Sequence, residues 1–225
     1  MNSYFSKDFL QFFIDLSLNN NKQWFDNNRV RYEENVKKPF ELFVQHMLGL
    51  LSKIDSSFEN VLAKECIFRI NRDIRFSKDK IPYKTYTSAV LAPNGKKSKS
   101  INGIYFECTP DHLRVYGGIY EIEKEEIQKL REYISKTTTQ FKKLYSNPEF
   151  VQLFGEIKGV KNKILPKNMQ PFAEKEPLIY NKQWYFYAEF SAEKILDKNL
   201  DKILLECYKT GKPIEDYFNH VLNRK

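Results

Sequence analysis

The spacing of apolar residues changes along the chain, and this change limits which folds the chain can adopt. Between Phe40 and Ile54 the apolar residues recur at a period near 3.6, which predicts a helix with one buried face. Between Cys66 and Phe76 they alternate with polar residues, which predicts a half-buried strand that runs into a loop at Pro82. Helical spacing returns at about residue 121, so the predicted strands between 66 and 116 follow one another without intervening helices.

The other predicted elements complete this order. Further strands are predicted at 85–91, in a hairpin of 101–108 and 112–116, and at 183–190. Further helices are predicted at 7–18, from 22 to a break or kink at Pro39, from 121, from 148, and as a final pair separated by Gly211 and Pro213. The order does not match the β-α alternation of a parallel sheet. We therefore predict an α+β fold, a single domain over residues 1–225, with a mainly antiparallel sheet of about four to six strands packed by N- and C-terminal helices.

Two adjacent glycines close the predicted hairpin. Gly117 and Gly118 follow the strand 112–116, and neither carries a Cβ atom. We expect them either to end the strand or to let the backbone approach another segment closely.

The composition narrows the class of protein. The chain contains 18 Phe and 14 Tyr, so aromatic side chains are expected to fill much of the core. The 3 Cys and 3 His are widely spaced, so neither a metal site nor a disulfide framework is expected, and no cofactor is evident. No apolar run reaches the roughly 18 residues of a membrane span, and the N-terminus lacks a secretory signal. We expect a cytoplasmic protein with no membrane partner.

The net charge favours anionic partners. The formal charge is +8 and the sequence pI is about 9.1. A basic chain attracts phosphate-bearing small molecules and nucleic acid, and these are the expected partners. Scattered surface lysines that serve solubility would give the same total, so charge alone does not locate a site.

The densest mixture of charge and aromatic surface lies between Phe68 and Lys84, which we call the signature stretch. Its predicted ligand-binding residues are Arg69, Arg72, Arg75, Ser77, Lys80, Tyr83 and Lys84. The planar guanidinium group of Arg offers paired donors that fit a phosphate or a carboxylate. Asp73 and Asp79 are the candidate catalytic residues, because they would orient these cations or bind Mg²⁺ beside a phosphate ester.

A structural network is an equal alternative for the same residues. Arg69, Asp73 and Arg75 would pair with one another and with Glu65 or Glu107 across the sheet, while Asp79 would cap the loop. Ion-pair networks and binding sites share this composition, so the residues alone do not separate the two interpretations.

An upstream helix adds two candidates. Trp24, Asn28 and Tyr32 are spaced four residues apart and share one helical face. If that face bordered the signature stretch, Trp24 would supply a stacking ring and Asn28 an amide. The alternative, which we favour, is that Trp24 and Phe25 anchor the helix in the core.

These motifs together resemble a widespread bacterial family known only as domain of unknown function 2461. The resemblance is carried by Phe68-Arg69-Ile70, Arg72-Asp73, Arg75-Phe76-Ser77, Asp79-Lys80 and Pro82-Tyr83-Lys84, and upstream by Asn19-Asn20, Trp24-Phe25, Asn28, Tyr32 and Pro39-Phe40. Gly117-Gly118-Ile119-Tyr120 is similar to the Gly-rich strand end of that family. The resemblance covers nearly the whole chain and implies a soluble single domain, but it implies no reaction.

One segment departs from the family pattern. The family commonly shows Pro-Lys-Gly-aromatic followed by His-Pro. This chain has Pro166-Lys167-Asn168-Met169 and later Glu176-Pro177. The departure argues against a catalytic histidine in this segment.

Three functions fit these observations, and we rank them. The first is a protein that binds a phosphate-bearing anion through residues 68–84. The second is a metal-assisted phosphoester hydrolase, which requires Asp73, Asp79 and Glu107 to converge and lacks any known catalytic motif. The third is a structural or interaction protein in which residues 68–84 form an ion-pair folding network, so that Arg72→Ala or Asp73→Ala would unfold it.

Overall fold

The computed structural model describes residues 3–97 and 103–222. Its helices are α1 (Lys7–Leu18), α2 (Lys22–Asn27), α3 (Arg29–Tyr32), α4 (Lys38–Leu51), α5 (Ala63–Cys66), α6 (Lys124–Lys136), α7 (Thr138–Tyr145), α8 (Pro148–Phe154), α9 (Gln170–Lys175) and α10 (Leu200–Leu222). Its strands are β1 (Thr87–Leu91), β2 (Ile104–Cys108), β3 (His112–Ile119) and β4 (Trp184–Ser191). Among the described residues, no helix combines the length and the apolar character that a membrane crossing requires.

The four strands form one antiparallel sheet in the order β1-β2-β3-β4. Each strand lies beside the next one in sequence, and helices occupy both ends of the chain. This arrangement confirms the predicted α+β class and the predicted hairpin of β2 and β3. Residues 101 and 102 of the predicted hairpin arm lie outside the described residues.

The chain divides into two compact units. The first contains Met1–Ser98, Tyr105–Val115 and Glu189–Leu205, and the second contains Lys99–Ile104, Tyr116–Ala188 and Glu206–Lys225. In the first unit, the rings of Phe40 and Phe43 pack on Phe106, with centroids 5.5 and 6.1 Å away. In the second unit, Phe150 and Phe154 pack on Phe186 at 5.0 and 4.6 Å. A single domain over residues 1–225 stays a prediction.

The predicted strand at Cys66–Phe76 is wrong. Cys66 ends the short helix α5, and the chain from Ile67 onwards is irregular. It forms isolated antiparallel bridges, which pair Ile67 with Ala89 of β1 and Asn71 with Tyr83. Alternation of residue types predicts a strand only where the apolar positions are buried, and the Phe76 side chain is 95% exposed.

The two outer strands of the sheet have short irregular segments along their free edges. Beside β1, the Phe68 N–H donates to the Ser88 carbonyl at 3.0 Å. Beside β4, Lys158 and Tyr185 exchange both backbone hydrogen bonds, at 2.6 and 3.1 Å. Each segment pairs with only part of the neighbouring strand.

Two prolines, Pro39 and Pro213, lie within helical segments and do not end them. A π-helical turn at Glu33–Lys37 precedes Pro39, and the Lys38 N–H reaches back to the Glu33 carbonyl. The predicted pair of C-terminal helices is wrong, because α10 runs continuously through Gly211 and Pro213. Gly211 serves packing instead, since an added Cβ atom would lie 2.8 Å from the Phe186 ring.

A buried carboxyl group lies beside the glycine pair of β3. Gly118 has a φ of +84°, and an added Cβ atom would lie 2.3 Å from the Trp184 carbonyl oxygen, so the expected close approach is confirmed. The Glu215 side chain of α10 is 1% exposed and accepts hydrogen bonds from the N–H groups of Gly103 and Gly118, both at 3.1 Å. Burial raises the pKa of Glu215 to about 8.

Candidate functional site

Much of the signature stretch forms a loop that is held by its own charged side chains. Arg72 donates from Nη1 to Asp79 Oδ2 at 2.7 Å and to the Ile81 carbonyl at 3.1 Å. Arg75 contacts Asp73 with Nη2 and Oδ2 2.7 Å apart. Lys80 Nζ donates to the Ile74 carbonyl at 2.9 Å, and Ser77 lies half-buried in the same loop. These contacts use three of the predicted ligand-binding cations inside the loop.

The two candidate catalytic carboxylates are part of this loop structure. The Arg75 side chain holds the pKa of Asp73 below its ordinary value, and the Ile81 N–H and Arg72 do the same for Asp79. No group of three or more His, Cys, Asp or Glu side chains within residues 3–97 and 103–222 is placed to hold a metal ion. The arrangement therefore stabilises the two aspartates as anions beside arginine.

We expect Asp73→Ala to leave the thermal unfolding midpoint unchanged, because its partner is exposed. The Asp73 and Arg75 side chains are 43% and 77% exposed, and exposed ion pairs add little stability. Circular dichroism melts should give the same midpoint as Glu34→Ala, which removes another exposed pair, with Lys38. A cooperative transition lost only in Asp73→Ala would instead support the ion-pair folding network.

The end of the signature stretch is packed against the N-terminal helices. The Asn20 side chain donates to the Tyr83 carbonyl at 3.0 Å and accepts from the Tyr83 N–H at 3.1 Å. The Tyr83 ring is 6% exposed and stacks on Phe25 with centroids 4.1 Å apart. These contacts make Tyr83 a packing residue that joins the stretch to α2.

The two upstream candidates lie in the same packed region. Asn28 donates its amide to the Trp24 carbonyl at 2.9 Å, and the half-buried Trp24 ring lies 5.7 Å from Phe12. The contacts of Trp24 with Phe12 and of Phe25 with Tyr83 agree with the interpretation that this motif anchors the helix.

Lys84 and Arg69 differ from Arg72, Arg75 and Lys80, which hold the loop. Lys84 is half-buried, and its Nζ lies 5.4 Å from the centroid of the Phe68 ring and 5.7 Å from that of Tyr86. Burial and the nearby Arg69 lower the pKa of Lys84. Within the described parts of the chain, no carboxylate forms a salt bridge with either cation.

Half-buried polar side chains continue from Lys84 across one face of the sheet. The Phe68 and Tyr105 rings are 5.9 Å apart, and Tyr105 Oη donates to Glu107 Oε2 at 3.1 Å. Glu107 Oε1 lies 3.5 Å from His112 Nε2 and 3.8 Å from Arg114 Nη1. We call the following residues the sheet-face cluster: Arg69, Lys84, Tyr86, Tyr105, Glu107, His112 and Arg114.

The cluster combines cations, hydroxyl groups and rings at one end with a carboxylate at the other. Burial raises the pKa of Tyr105, so its hydroxyl group remains a proton donor. Arg114 also donates from Nε to Glu189 Oε2 at 2.5 Å, which leaves Glu107 and Glu189 on either side of one guanidinium group. This geometry is suited to binding a ligand that carries both an anionic group and a flat ring.

Of the residues in the sheet-face cluster, the sequence predicts Arg69 and Lys84 as ligand-binding. It does not identify Tyr86, Tyr105, His112 or Arg114. One signal was present in the sequence. The residues between the buried Ile104, Phe106 and Cys108 are Tyr105 and Glu107, and His112 and Arg114 flank the buried Leu113. Strand alternation places such residues on the face opposite the core.

Comparison with known proteins identifies a family but no characterised relative. Searches of curated proteins and of solved structures find no significant match. The family model described as a conserved hypothetical protein, DUF2461, matches residues 8–217. This match includes the signature stretch, its partners in α2 and the whole sheet, and it confirms the resemblance seen in the motifs. The chain therefore belongs to the DUF2461 family of conserved hypothetical proteins.

Proposed function

We propose that this protein binds a phosphate-bearing ligand at the sheet-face cluster, with Lys84 and Arg69 as the anion-binding cations. The observation that carries the proposal is the half-buried Lys84 ammonium group, which lies near a second cation and has no carboxylate partner among the described residues. Partial burial disfavours the charged form of lysine, and a bound anion would offset that cost.

The surroundings of Lys84 favour a phosphate attached to an aromatic base. Phe68, Tyr86 and Tyr105 offer ring surfaces in or beside the cluster, and the Tyr86 hydroxyl group can donate to an oxyanion. Proteins that bind single-stranded nucleic acid combine such rings with cations that contact the backbone. A nucleotide or a short single strand is therefore the expected ligand class.

The neighbouring cations have structural contacts, which reduces the number of residues expected to bind the ligand. Arg72 and Lys80 close the loop on itself, and Arg75 is paired with Asp73. Among the predicted ligand-binding cations, Arg69 and Lys84 are left without such a role in the loop, and neither has a described carboxylate at salt-bridge distance. In this proposal the first three hold the loop and the last two contact the phosphate.

Substituting Lys84 should weaken binding to a labelled single-stranded oligonucleotide of mixed sequence. We expect Lys84→Gln to raise the Kd at least about tenfold in fluorescence anisotropy at low salt, since a charge-assisted hydrogen bond contributes roughly 1.5–3 kcal/mol. Binding of the unmodified protein should fall steeply as salt rises.

The matched control is Lys78→Gln, which removes an exposed lysine from the same loop. An equal loss of affinity in both variants would show a general effect of charge and would contradict a site at Lys84. Absence of binding to oligonucleotide, AMP and inorganic phosphate at low salt would overturn the proposal.

A structural role for the signature stretch is the second candidate function. The Asn20–Tyr83 hydrogen bonds and the Phe25–Tyr83 stack favour it, because they tie the stretch to the helices. The metal-assisted hydrolase has no comparable support, since Asp73 and Asp79 each face an arginine.

A further inference from the structure

A buried arginine in the second unit has only neutral partners. The Arg131 side chain of α6 is 5% exposed, and burial lowers its pKa. Nη2 donates to the carbonyl oxygens of Asn181 at 2.9 Å and Tyr180 at 3.3 Å. The Asn162 amide, oriented by its hydrogen bonds, presents its oxygen to Nη1 at 3.2 Å and to Nη2 at 3.0 Å. No carboxylate of the described chain forms a salt bridge with Arg131.

These contacts leave one N–H donor of Arg131 without an acceptor and its positive charge without an anion. The buried Nε–H group of Arg131 has no hydrogen-bond partner among the described residues. The backbone and amide oxygens satisfy the geometry of the outer guanidinium nitrogens, but they carry no negative charge. A buried guanidinium group without an anion lowers the stability of the folded protein. A bound anion would offset this cost.

Arg131 lines a cleft of a size that suits a small molecule. The cleft has a volume of about 610 Å³, within the usual range of about 300–1,000 Å³ for ligand sites. Its polar lining consists of Arg131, Lys124, Lys182, Gln128, Asn162 and Glu125. Three cations therefore face one carboxylate, and Lys124 and Lys182 are exposed at the rim while Arg131 is buried.

We propose that this cleft binds a small phosphate-bearing compound, with Arg131 at its floor and Lys124 and Lys182 at its rim. The buried Arg131 guanidinium group supplies uncompensated positive charge at the floor, and the rim ammonium groups contact the phosphate oxygens. Gln128 and Asn162 supply amide groups for the rest of the ligand. All of these residues lie within the second unit, so the site is independent of the sheet-face cluster in the first.

A structural interpretation of Arg131 makes a different prediction from a ligand site. These contacts also anchor the non-helical residues Asn162 and Asn181, which lie on either side of α9 in the chain, and that role requires Arg131 alone. The rim lysines form no part of this anchor, because both side chains are exposed. A double substitution of Lys124 and Lys182 therefore tests the ligand site without disturbing the anchor.

The experiment is isothermal titration of the full chain with glycerol 3-phosphate, inorganic phosphate and succinate. We expect saturable binding of the two phosphate compounds. The double variant Lys124→Gln/Lys182→Gln should weaken it about tenfold or more, with an unchanged melting midpoint. Arg131→Gln should remove the binding of glycerol 3-phosphate, and a thermal melt will show whether that variant remains folded.

The matched control is Lys142→Gln/Lys143→Gln, which removes two exposed lysines from α7 in the same unit. Equal weakening in both double variants, or no phosphate binding by the unmodified chain, would overturn the proposal. Stronger binding of succinate than of glycerol 3-phosphate would overturn its assignment to phosphate. Lys84→Gln should leave glycerol 3-phosphate binding at this cleft intact, which separates the two sites.

Discussion

Glu215→Gln should flatten the fall in stability that the unmodified protein shows as pH rises from about 5 to 8. The Glu215 carboxyl group is buried, and burial raises its pKa from an ordinary 4.5 to about 8. Its two backbone N–H donors favour the ionised form, but burial outweighs them. Glu215 is therefore protonated in the folded protein at neutral pH.

The direction of the effect follows from which state holds the proton. Below pH 4.5 both the folded and the unfolded chain carry it, so Glu215 adds no pH dependence. Between pH 4.5 and 8 the unfolded chain loses this proton first, so stability falls as pH rises. The loss is complete above pH 8 and amounts to on the order of 5 kcal/mol.

Urea unfolding of the two proteins at several pH values measures this difference. Glutamine has no carboxyl proton and accepts only one of the two N–H donors, so its baseline stability should be lower by roughly 1–3 kcal/mol. Asp216→Asn is the matched control, because it removes the neighbouring carboxylate, which is exposed and pairs with Lys212. A slope that persists in Glu215→Gln but disappears in Asp216→Asn would contradict this prediction.

Tyr83→Ala should destabilise the protein by roughly 3–5 kcal/mol and lower its melting midpoint by roughly 10 °C. The variant empties the space that the buried ring fills beside Phe25, and it loosens the backbone that Asn20 holds. Calorimetry or circular dichroism melts will measure the shift.

Phe76→Ala is the matched control, since it removes an aromatic ring of similar size from the same stretch. That ring is 95% exposed, so its removal should leave the midpoint unchanged. Equal shifts in the two variants would show that burial does not decide the role of these aromatics. Unequal shifts would support a structural role for the end of the signature stretch.

The elements that can be predicted from the sequence are those in which the regularly spaced apolar residues are the ones that become buried. Helix α1, the β2–β3 hairpin and strand β4 each have apolar residues at the period of the element, and each buries them. The strand predicted at Cys66–Phe76 has the same alternation, but tertiary structure leaves Phe76 in solvent. Helix α10 shows the reverse case, because packing of Gly211 on Phe186 outweighs the tendency of Gly and Pro to end a helix.

Candidate sites are harder to predict because they depend on residues that are distant in sequence. The sequence identifies Arg69 and Lys84 by their density of charge. It does not show that Tyr105, Glu107 and His112 are in contact with one another. Nor does it distinguish Arg131, which is buried, from an ordinary surface arginine on a polar helix. Burial of a single charge is a property of the folded chain.

The irregular segments beside β1 and β4 have a consequence for self-association. A sheet with an open edge offers unpaired N–H and C=O groups to a strand of another molecule, which is a route to aggregation. Here the Phe68–Ser88 bond and the Lys158–Tyr185 pair occupy part of each edge within the described chain. Because neither segment continues as a regular strand, an incoming chain meets an interrupted ladder. We expect these short contacts to prevent aggregation at concentrations at which a four-stranded sheet with open edges would pair with strands of neighbouring molecules.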